Sequence, residues 1–373
     1  MIYFDNAATG FPKNASVAKA VSESIDTCGN PGRGGHGYSI RAAETVYECR
    51  KKLAAMFGTR PDLVVFTSGT TESLNIAVKG ANRSGGVTVV SNLEHNSVMR
   101  PLNALRRRGE TVVRQFRVDL RDDGATLENF RTVSRGATNV VITHASNVCG
   151  RILPVKDLRK NAPDDAIFIL DAAQTAGHFG FGITDLGVDA ICIPAHKGLY
   201  GPMGVGALII NPESDVYFES LIEGGTGTNS KSFDMPEQYP EHLEPGTQNV
   251  SGIAGLSAAL DGFEYPSGES ELFFELVKGL EQIDGITLYG APRCKTDLKF
   301  YTPALLFNKR GYDCEELAAK LNENGIAVRA GYHCSPCAHR ALGSFESGGV
   351  RVSPGRNNSK REVTEFLRVI KTL

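Results

Sequence analysis

An α/β fold built on a mostly parallel sheet is predicted by three features of the sequence. Between about residues 60 and 210, apolar runs of four to seven residues alternate with helix-like stretches. Most of these runs lack the polar alternation of a half-exposed strand, which marks strands buried on both faces. After Pro266-Ser267-Gly268 the pattern changes: strands begin to follow one another, as in a smaller α+β domain. The expected organisation is an N-terminal arm (1–15) packing with the small domain, a large ligand-binding domain (16–262), and a small C-terminal domain (263–373) carrying a cysteine loop.

The elements follow in order. Residues 1–12 read as an extended arm around Asp5-Asn6-Ala7-Ala8-Thr9. Val17, Val21 and Ile25 repeat every four residues and predict a helix over 14–27. The stretch from Gly29 to Gly37, which includes Arg33, is too rich in glycine for regular structure. Ser39 is placed to cap a helix that runs to Phe57 and stops at Gly58. Strands are expected at Leu63–Thr67, Val87–Val90, Thr111–Arg117, Asn139–Thr143, Ala166–Leu170, Ala190–Ile193 and Gly204–Ile210, with helices at Glu72–Lys79, 96–108, Thr126–Val133 and 249–262. The C-terminal part reads helix 270–283, strands 286–289 and 303–307, helix 313–324, strand 326–329, a loop, strand 350–352 and helix 359–372.

The totals narrow the function classes. A chain of 373 residues with net charge −2 can bury a large core and has no excess of basic charge for nucleic acid or an anionic membrane surface. No apolar run approaches the roughly 20 residues of a membrane span. The first residues show no basic region followed by an apolar core, so no signal peptide is expected. Of eight cysteines, six are scattered singly, which suggests reduced thiols in a cytoplasmic protein.

Unusual polar residues collect where the strands end, and ligands in such sheets bind beyond those ends. Ser68-Gly69-Thr70-Thr71-Glu72 follows one strand and opens a helix; it suits a phosphate, and equally an ordinary helix cap. His95 follows the next, free to stack on a ring and move protons near neutral pH as a catalytic group, or to serve structure alone. Asn147 comes after Asn139–Thr143. Asp171 and Gln174 come after Ala166–Leu170, and Asp171 reads either as a cap or as a buried acid needing a cation such as a protonated pyridine nitrogen. His196 and Lys197 end the apolar run Ala190–Ile193, an odd place for a solvated lysine. One strand, Thr111–Arg117, adds nothing. Together these fit a single ligand with a phosphate, a ring nitrogen, a phenolic oxygen and an aldehyde: pyridoxal 5'-phosphate, with Lys197 as its Schiff-base lysine.

The motifs occur in a familiar order over nearly the whole chain. They are Asp5-Asn6-Ala7-Ala8-Thr9, Thr67-Ser68-Gly69-Thr70-Thr71-Glu72, Glu94-His95, Ser146-Asn147-Val148-x-Gly150, Asp171-Ala172-Ala173-Gln174, His196-Lys197-Gly198-Leu199-Tyr200-Gly201-Pro202, Glu244-Pro245-Gly246-Thr247, Gly331-x-His333-Cys334 and Val350-Arg351-x-Ser353. With them the chain resembles the class V aminotransferase family of fold-type I pyridoxal-phosphate enzymes, in its cysteine desulfurase and selenocysteine lyase branch. The resemblance implies that Lys197 carries the cofactor. It pairs Asp171 with the ring nitrogen, sets Gln174 and Asn147 on the phenolic oxygen, stacks His95 on the ring, and gives the phosphate to Thr70, Thr71 and His196. It also implies a homodimer in which the Thr226 loop (Gly224–Thr228) reaches the neighbouring active site, and a substrate held by Arg351 with Asn147 and Asn6. Two departures stand out. Pro194 replaces a hydroxyl residue three before the lysine, and Gly355-Arg356-Asn357-Asn358-Ser359 replaces the usual aromatic-Asn-Thr tail.

The segment from Arg329 to His339 selects the reaction. The resemblance places the nucleophilic thiol at Cys334, with His333 beside it to help it ionise. A metal site from His333, Cys334, Cys337 and His339 is the weaker reading, since Cys-x-x-Cys is half of a zinc site, and no metal is expected. Cys337 has three open roles: persulfide relay, disulfide partner or bystander. The function expected is desulfuration of L-cysteine to L-alanine through a Cys334 persulfide, with an acceptor protein or thiol downstream. The rivals are a selenocysteine lyase acting on L-selenocysteine, and a class V C–S lyase or aminotransferase in which Cys334 is idle.

Overall fold

A computed structural model of the chain describes residues 1–32, 34–82 and 85–373. Arg33, in the glycine-rich stretch, lies outside the described residues. The elements begin with β1 (Ile2–Tyr3), α1 (Ala15–Thr27), α2 (Gly37–Phe57), β2 (Val64–Thr67), α3 (Thr70–Gly80), β3 (Gly86–Ser91), α4 (Asn96–Arg107) and β4 (Thr111–Phe116). Next come α5 (Asp123–Ser134), β5 (Asn139–Thr143), α6 (Val155–Lys160), β6 (Ile167–Asp171), α7 (Ile183–Leu186), β7 (Ala190–Pro194), β8 (Gly206–Ile210) and α8 (Val250–Leu260). The chain closes with α9 (Glu269–Glu281), β9 (Ile286–Tyr289), β10 (Leu305–Lys309), α10 (Cys314–Glu323), β11 (Ile326–Ala327), β12 (Arg329–Gly331), α11 (Pro336–Leu342), β13 (Gly349–Val352) and α12 (Lys360–Thr372).

The predicted parallel sheet is present. Its seven strands lie in the order β2-β8-β7-β6-β5-β3-β4, parallel from β7 to β4, with β8 antiparallel to both neighbours. Every residue of β5, β6, β7 and β8 is buried, which accounts for their unbroken apolar runs. The edge strand β4 is instead mostly exposed between its buried ends, Thr111 and Phe116, and it carries no residue of the site described below. Thr143 of β5 lies opposite Asp171 of β6, which lies opposite Cys192 of β7, so these strands end almost level. The neighbours β3 and β5 lead away in opposite directions, to β4 and to β6. That reversal opens a crevice at their C-terminal ends.

A second, antiparallel sheet has the order β12-β13-β10-β9. It has its own apolar cluster, in which Phe4, Phe307 and Phe366 are fully buried. Phe4 belongs to the N-terminal arm. β1 pairs parallel with β11, and the arm then bridges from Asp5 to Ser353 beyond β13. Further along, Gly10 N–H donates to the carbonyl of His196 at 2.9 Å. A Cβ on Gly10 would sit 2.6 Å from the Lys197 carbonyl, so glycine is required for this approach.

Several local expectations are corrected. Ser39 is not the cap of α2: His36 is, accepting the Ser39 N–H on its ring, with Gly58 in the left-handed conformation at the far end. The single strand expected at 326–329 is two, β11 and β12, because Val328 is the point where the chain leaves the arm's sheet for the four-stranded one. The loop expected before 350 contains the helix α11, which starts with Pro336 at its first turn and stops at left-handed Gly343. Together with α6 and α7 it is too short to show a helical period. Among the described residues no helix is long and apolar enough to cross a membrane.

Phe4→Ala removes a ring buried edge-on against Phe366. The expected cost is about 3–5 kcal/mol, read as a lower urea midpoint with a similar slope; a loss under about 1 kcal/mol would show that the arm adds little to this core.

Candidate active site

A cavity of about 230 Å³ lies over the crevice, lined among others by Thr70, Thr71, His95, Asn147, Asp171, Gln174, His196 and Lys197. Eight of the residues singled out in the sequence thus face one space, from the ends of five strands. Ser68, Ser97, Thr143 and Ala173 share the lining, and Pro194, the last residue of β7, does not.

Each side chain is set by its backbone. Thr70 and Thr71 form the first turn of α3, and Glu72 turns back to accept the Ser68 N–H. His95 is the N-cap of α4: its Nδ1 accepts the Ser97 N–H at 3.0 Å, so the neutral ring carries its proton on Nε2. Ser97 Oγ lies 2.8 Å from Thr71 Oγ1 and ties the two helix starts together. Asp171 ends β6 and is almost wholly buried; its Oδ1 accepts the Ala173 N–H at 3.0 Å, and among the described residues no cationic side chain pairs with it. Gln174 Nε2 donates to the Ala7 carbonyl at 3.0 Å and Asn147 Nδ2 to the His333 carbonyl at 2.8 Å. Each amide keeps a second N–H.

The turn carrying Lys197 is braced from behind. Lys13 Nζ donates to the His196 carbonyl at 2.7 Å, and Arg356 Nη2 to the Gly198 carbonyl at 2.9 Å. The Arg356 guanidinium lies 4.3 Å from the ring centroid of Tyr200 and 4.9 Å from that of Phe263. The altered tail therefore builds the back of the lysine turn, against a separate cavity of about 350 Å³.

Burial sets the electrostatics. It pushes the Lys197 amine down to about 8, against the attraction of Asp171. It holds His95 and His196 down to about 4 each, helped in both by the Lys197 charge. The Asp171 carboxyl is raised by burial, and Lys197 only partly offsets this. Thr70 Oγ1 and His196 Nδ1 are buried without any hydrogen-bond partner among the described residues. Such groups cost free energy unless a ligand completes them. The donor set fits pyridoxal phosphate: hydroxyls and a neutral imidazole for a phosphate, a carboxylate for a protonated ring nitrogen, amide N–H groups for an oxyanion, and an amine of lowered pKa for an aldehyde.

Cys334 is exposed, and its backbone is docked on this wall: its carbonyl accepts the N–H of Asn96, next to His95, at 2.8 Å. Arg351 is buried on β13. Its Nη1 donates to the Asn147 carbonyl and its Nη2 to Asp5 Oδ1, both at 2.9 Å, while its Nε has no partner among the described residues. Arg329 pairs with the other oxygen of Asp5, also at 2.9 Å. Asp5, Arg329 and Ser335, whose Oγ donates to Asn147 Oδ1 at 2.6 Å, were missed in the sequence. A buried arginine demands a carboxylate, and that was the available signal for Asp5. Four singled-out residues are not in the cavity lining: Cys334, Arg351, Asn6 and Thr226. Asn6 donates to the Ser353 carbonyl and to Asn358, and accepts from Phe11 and Tyr200. Thr226 contacts Thr228 in a loop that lines other cavities. His333 is not turned toward the thiol: its ring lies between the Arg329 carbonyl and His339, and burial pushes it down to about 3. Among the described residues no group of three or more His, Cys, Asp or Glu side chains is arranged to hold a metal ion.

The family model described as Aminotransferase class-V matches residues 2–366. A probable cysteine desulfurase of Methanothermobacter thermautotrophicus is 33% identical over 97% of this chain and 92% of its own length. A probable cysteine desulfurase of Pyrococcus abyssi is 32% identical over 100% of this chain and 94% of its own. Among solved structures, the apo cysteine desulfurase of Thermococcus onnurineus NA1 superimposes with a TM-score of 0.91 at 32% identity, covering 100% of this chain and 94% of that one.

The lowered pKa of Lys197 is measurable on the cofactor-free chain. Below pH 8 its amine is mainly protonated and unreactive; above it, mainly neutral. Trace acetylation followed by peptide mapping is expected to give half-maximal reactivity at Lys197 near pH 8, against roughly 10.4 for exposed lysines. A Lys197 midpoint above about 10 would contradict this electrostatic picture.

Proposed function

The chain belongs to the aminotransferase class-V family, and from that premise we propose that it is a pyridoxal-phosphate-dependent cysteine desulfurase, which converts L-cysteine to L-alanine and takes the sulfur onto Cys334. The observation that carries this reading is the docking of the Cys334 turn against the His95 end of a cavity that also holds Lys197 and Asp171. An aminotransferase has no need of an exposed thiol at that wall.

In this reading Lys197 would anchor the cofactor and Asp171 would pair with its ring nitrogen. Asn147 and Gln174 would offer their remaining N–H groups to the phenolic oxygen, His95 would stack on the ring, and Thr70, Thr71 and His196 would hold the phosphate. When bound, the cofactor supplies an electron sink for charge that develops on the substrate α-carbon. The Lys197 amine, near neutrality by its burial, moves the proton at that carbon. Arg351 receives the substrate carboxylate, for which its unpartnered Nε and the planar fork of the guanidinium are suited. Asn147 and Asn6 shape the same end. Cys334 Sγ, as thiolate, bonds to the substrate sulfur. The carbon–sulfur bond breaks with its electron pair returning to carbon, which is protonated and leaves as alanine. The exposure of Cys334 suits onward transfer of the sulfur to an acceptor protein or small thiol.

The same reading divides the chain into the arm (1–15), a large domain (16–262) and a small domain (263–373). The separate apolar cluster under the four-stranded sheet supports that division. It makes the enzyme a homodimer, with Thr226 serving the neighbouring subunit's site. In support, Leu221, Ile222 and Phe233 are exposed around that loop, an apolar group that a second subunit would cover. Cytoplasmic residence is proposed on the strength of eight free cysteines.

The test is sulfide, selenide and alanine release from L-cysteine and L-selenocysteine by wild type and Cys334→Ala. With L-cysteine, Cys334→Ala is expected to lose sulfide release by on the order of 10³-fold or more while its cofactor absorbance is unchanged. Full retained turnover would overturn the role of Cys334, and pyruvate with ammonia in place of alanine would overturn the reaction.

A further inference from the structure

We infer that His339 is a positioning residue for Cys334, acting through a directed imidazole pair with His333. This rests on the reading of Cys334 as the sulfur-accepting thiol.

His333 and Cys334 are consecutive non-glycine residues in the left-handed region, with φ of 52° and 56°. L side chains rarely sit there, and such a turn persists only where its surroundings hold it. Two ties come from the cavity side. Asn147 Nδ2 donates to the His333 carbonyl and the Asn96 N–H to the Cys334 carbonyl, both at 2.8 Å. The third comes from beneath, through the His333 ring.

The direction of that third tie follows from donor chemistry. His333 Nε2 lies 3.1 Å from the Arg329 carbonyl, which only accepts, so Nε2 carries the proton. His333 Nδ1 is then bare and accepts from His339 Nε2–H at 3.2 Å. His339 Nδ1 is bare in turn and accepts from Ser344 Oγ–H at 2.9 Å. The rings are parallel to within 5°. His339 and Ser344 are fully buried and His333 nearly so, with burial lowering the pKa of both rings. With both rings neutral, as their burial favours, every link of this chain is satisfied. Ser344 thus fixes His339, His339 fixes the His333 ring, and that ring fixes the backbone from which the Cys334 thiol projects. Both rings sit on the short segment that α11 closes back on itself, since Ser344 N–H also returns to the His339 carbonyl at 2.9 Å.

The experiment uses the holoenzyme with His339→Ala and His339→Gln, the latter able to offer an amide N–H to His333 Nδ1. Two readouts are taken: amide hydrogen exchange over residues 332–336, and single-turnover persulfide formation on Cys334. His339→Ala is expected to speed exchange at Ser335, whose N–H is bound to the Tyr332 carbonyl, and to slow persulfide formation, each by about 10-fold. KM for L-cysteine is expected to hold, because Arg351 and Asn147 are untouched. His339→Gln is expected to recover most of both effects. Should His339→Ala be too unstable to assay, Ser344→Ala, which removes only the last link, is expected to show the same pattern in milder form. Unchanged exchange and persulfide formation in His339→Ala, or no recovery in His339→Gln, would overturn the inference. Its failure is separable from failure of the desulfurase reading: exchange reports on the turn whatever the reaction, whereas full turnover by Cys334→Ala sinks that reading alone.

Discussion

The removal of one amine from water without a dedicated counter-charge is the constraint around which this molecule is arranged. Lys197 lies three residues beyond a fully buried strand, and among the described residues no acidic side chain is within hydrogen-bond reach of it. A lysine so placed gives up part of its affinity for a proton. That is a liability for stability and an advantage for a nucleophile. The surroundings keep the geometry fixed. Lys13 and Arg356 hold the carbonyls on either side of the lysine, and Gly10 lets the arm pass against its backbone. Gly177 packs so closely on Gly198 that a Cβ there would fall 2.3 Å from its carbonyl carbon.

Arg351 couples the cavity wall at Asn147 to the N-terminal arm. It stands on the four-stranded sheet, yet its donors go to Asp5 of the arm and to the carbonyl of Asn147 beyond the parallel sheet. Asn147 in turn is bound by Ser335 and binds the His333 carbonyl. One polar network therefore joins the arm, the cavity wall and the cysteine turn. Buried networks of this kind are costly when incomplete and specify a unique arrangement when satisfied. It is the physical reason that the turn carrying Cys334, 137 positions after Lys197 (334 − 197), is docked against the wall of this cavity.

The sequence carried the parallel sheet because strands buried on both faces have nowhere to hide polar residues. The few that follow their ends, such as Asp171 and His95, were conspicuous for that reason. The cysteine segment was less legible. A helix of seven residues leaves no period, so α11 was read as loop, and with it the pairing of His339 with His333 was invisible. The adjacency of His333 and Cys334 suggested an acid–base pair. The left-handed backbone sends the ring inward and the thiol outward, and neighbours in sequence do not become partners. Asn6 shows the opposite difficulty: it lies in a telling motif, but its amide is spent on the tail around Ser353 and Asn358. Arg356, part of the tail in which the sequence departs from the family, braces the back of the lysine turn.

The central claim is that the cavity holds pyridoxal phosphate on Lys197. It is tested most directly by loading the protein with that cofactor, reducing with borohydride and mapping the covalently trapped group by peptide mass spectrometry. The account predicts one modified residue per chain, Lys197, with the absorbance of the free protein–cofactor complex lost on reduction. Modification spread over surface lysines, or none at Lys197, would contradict it.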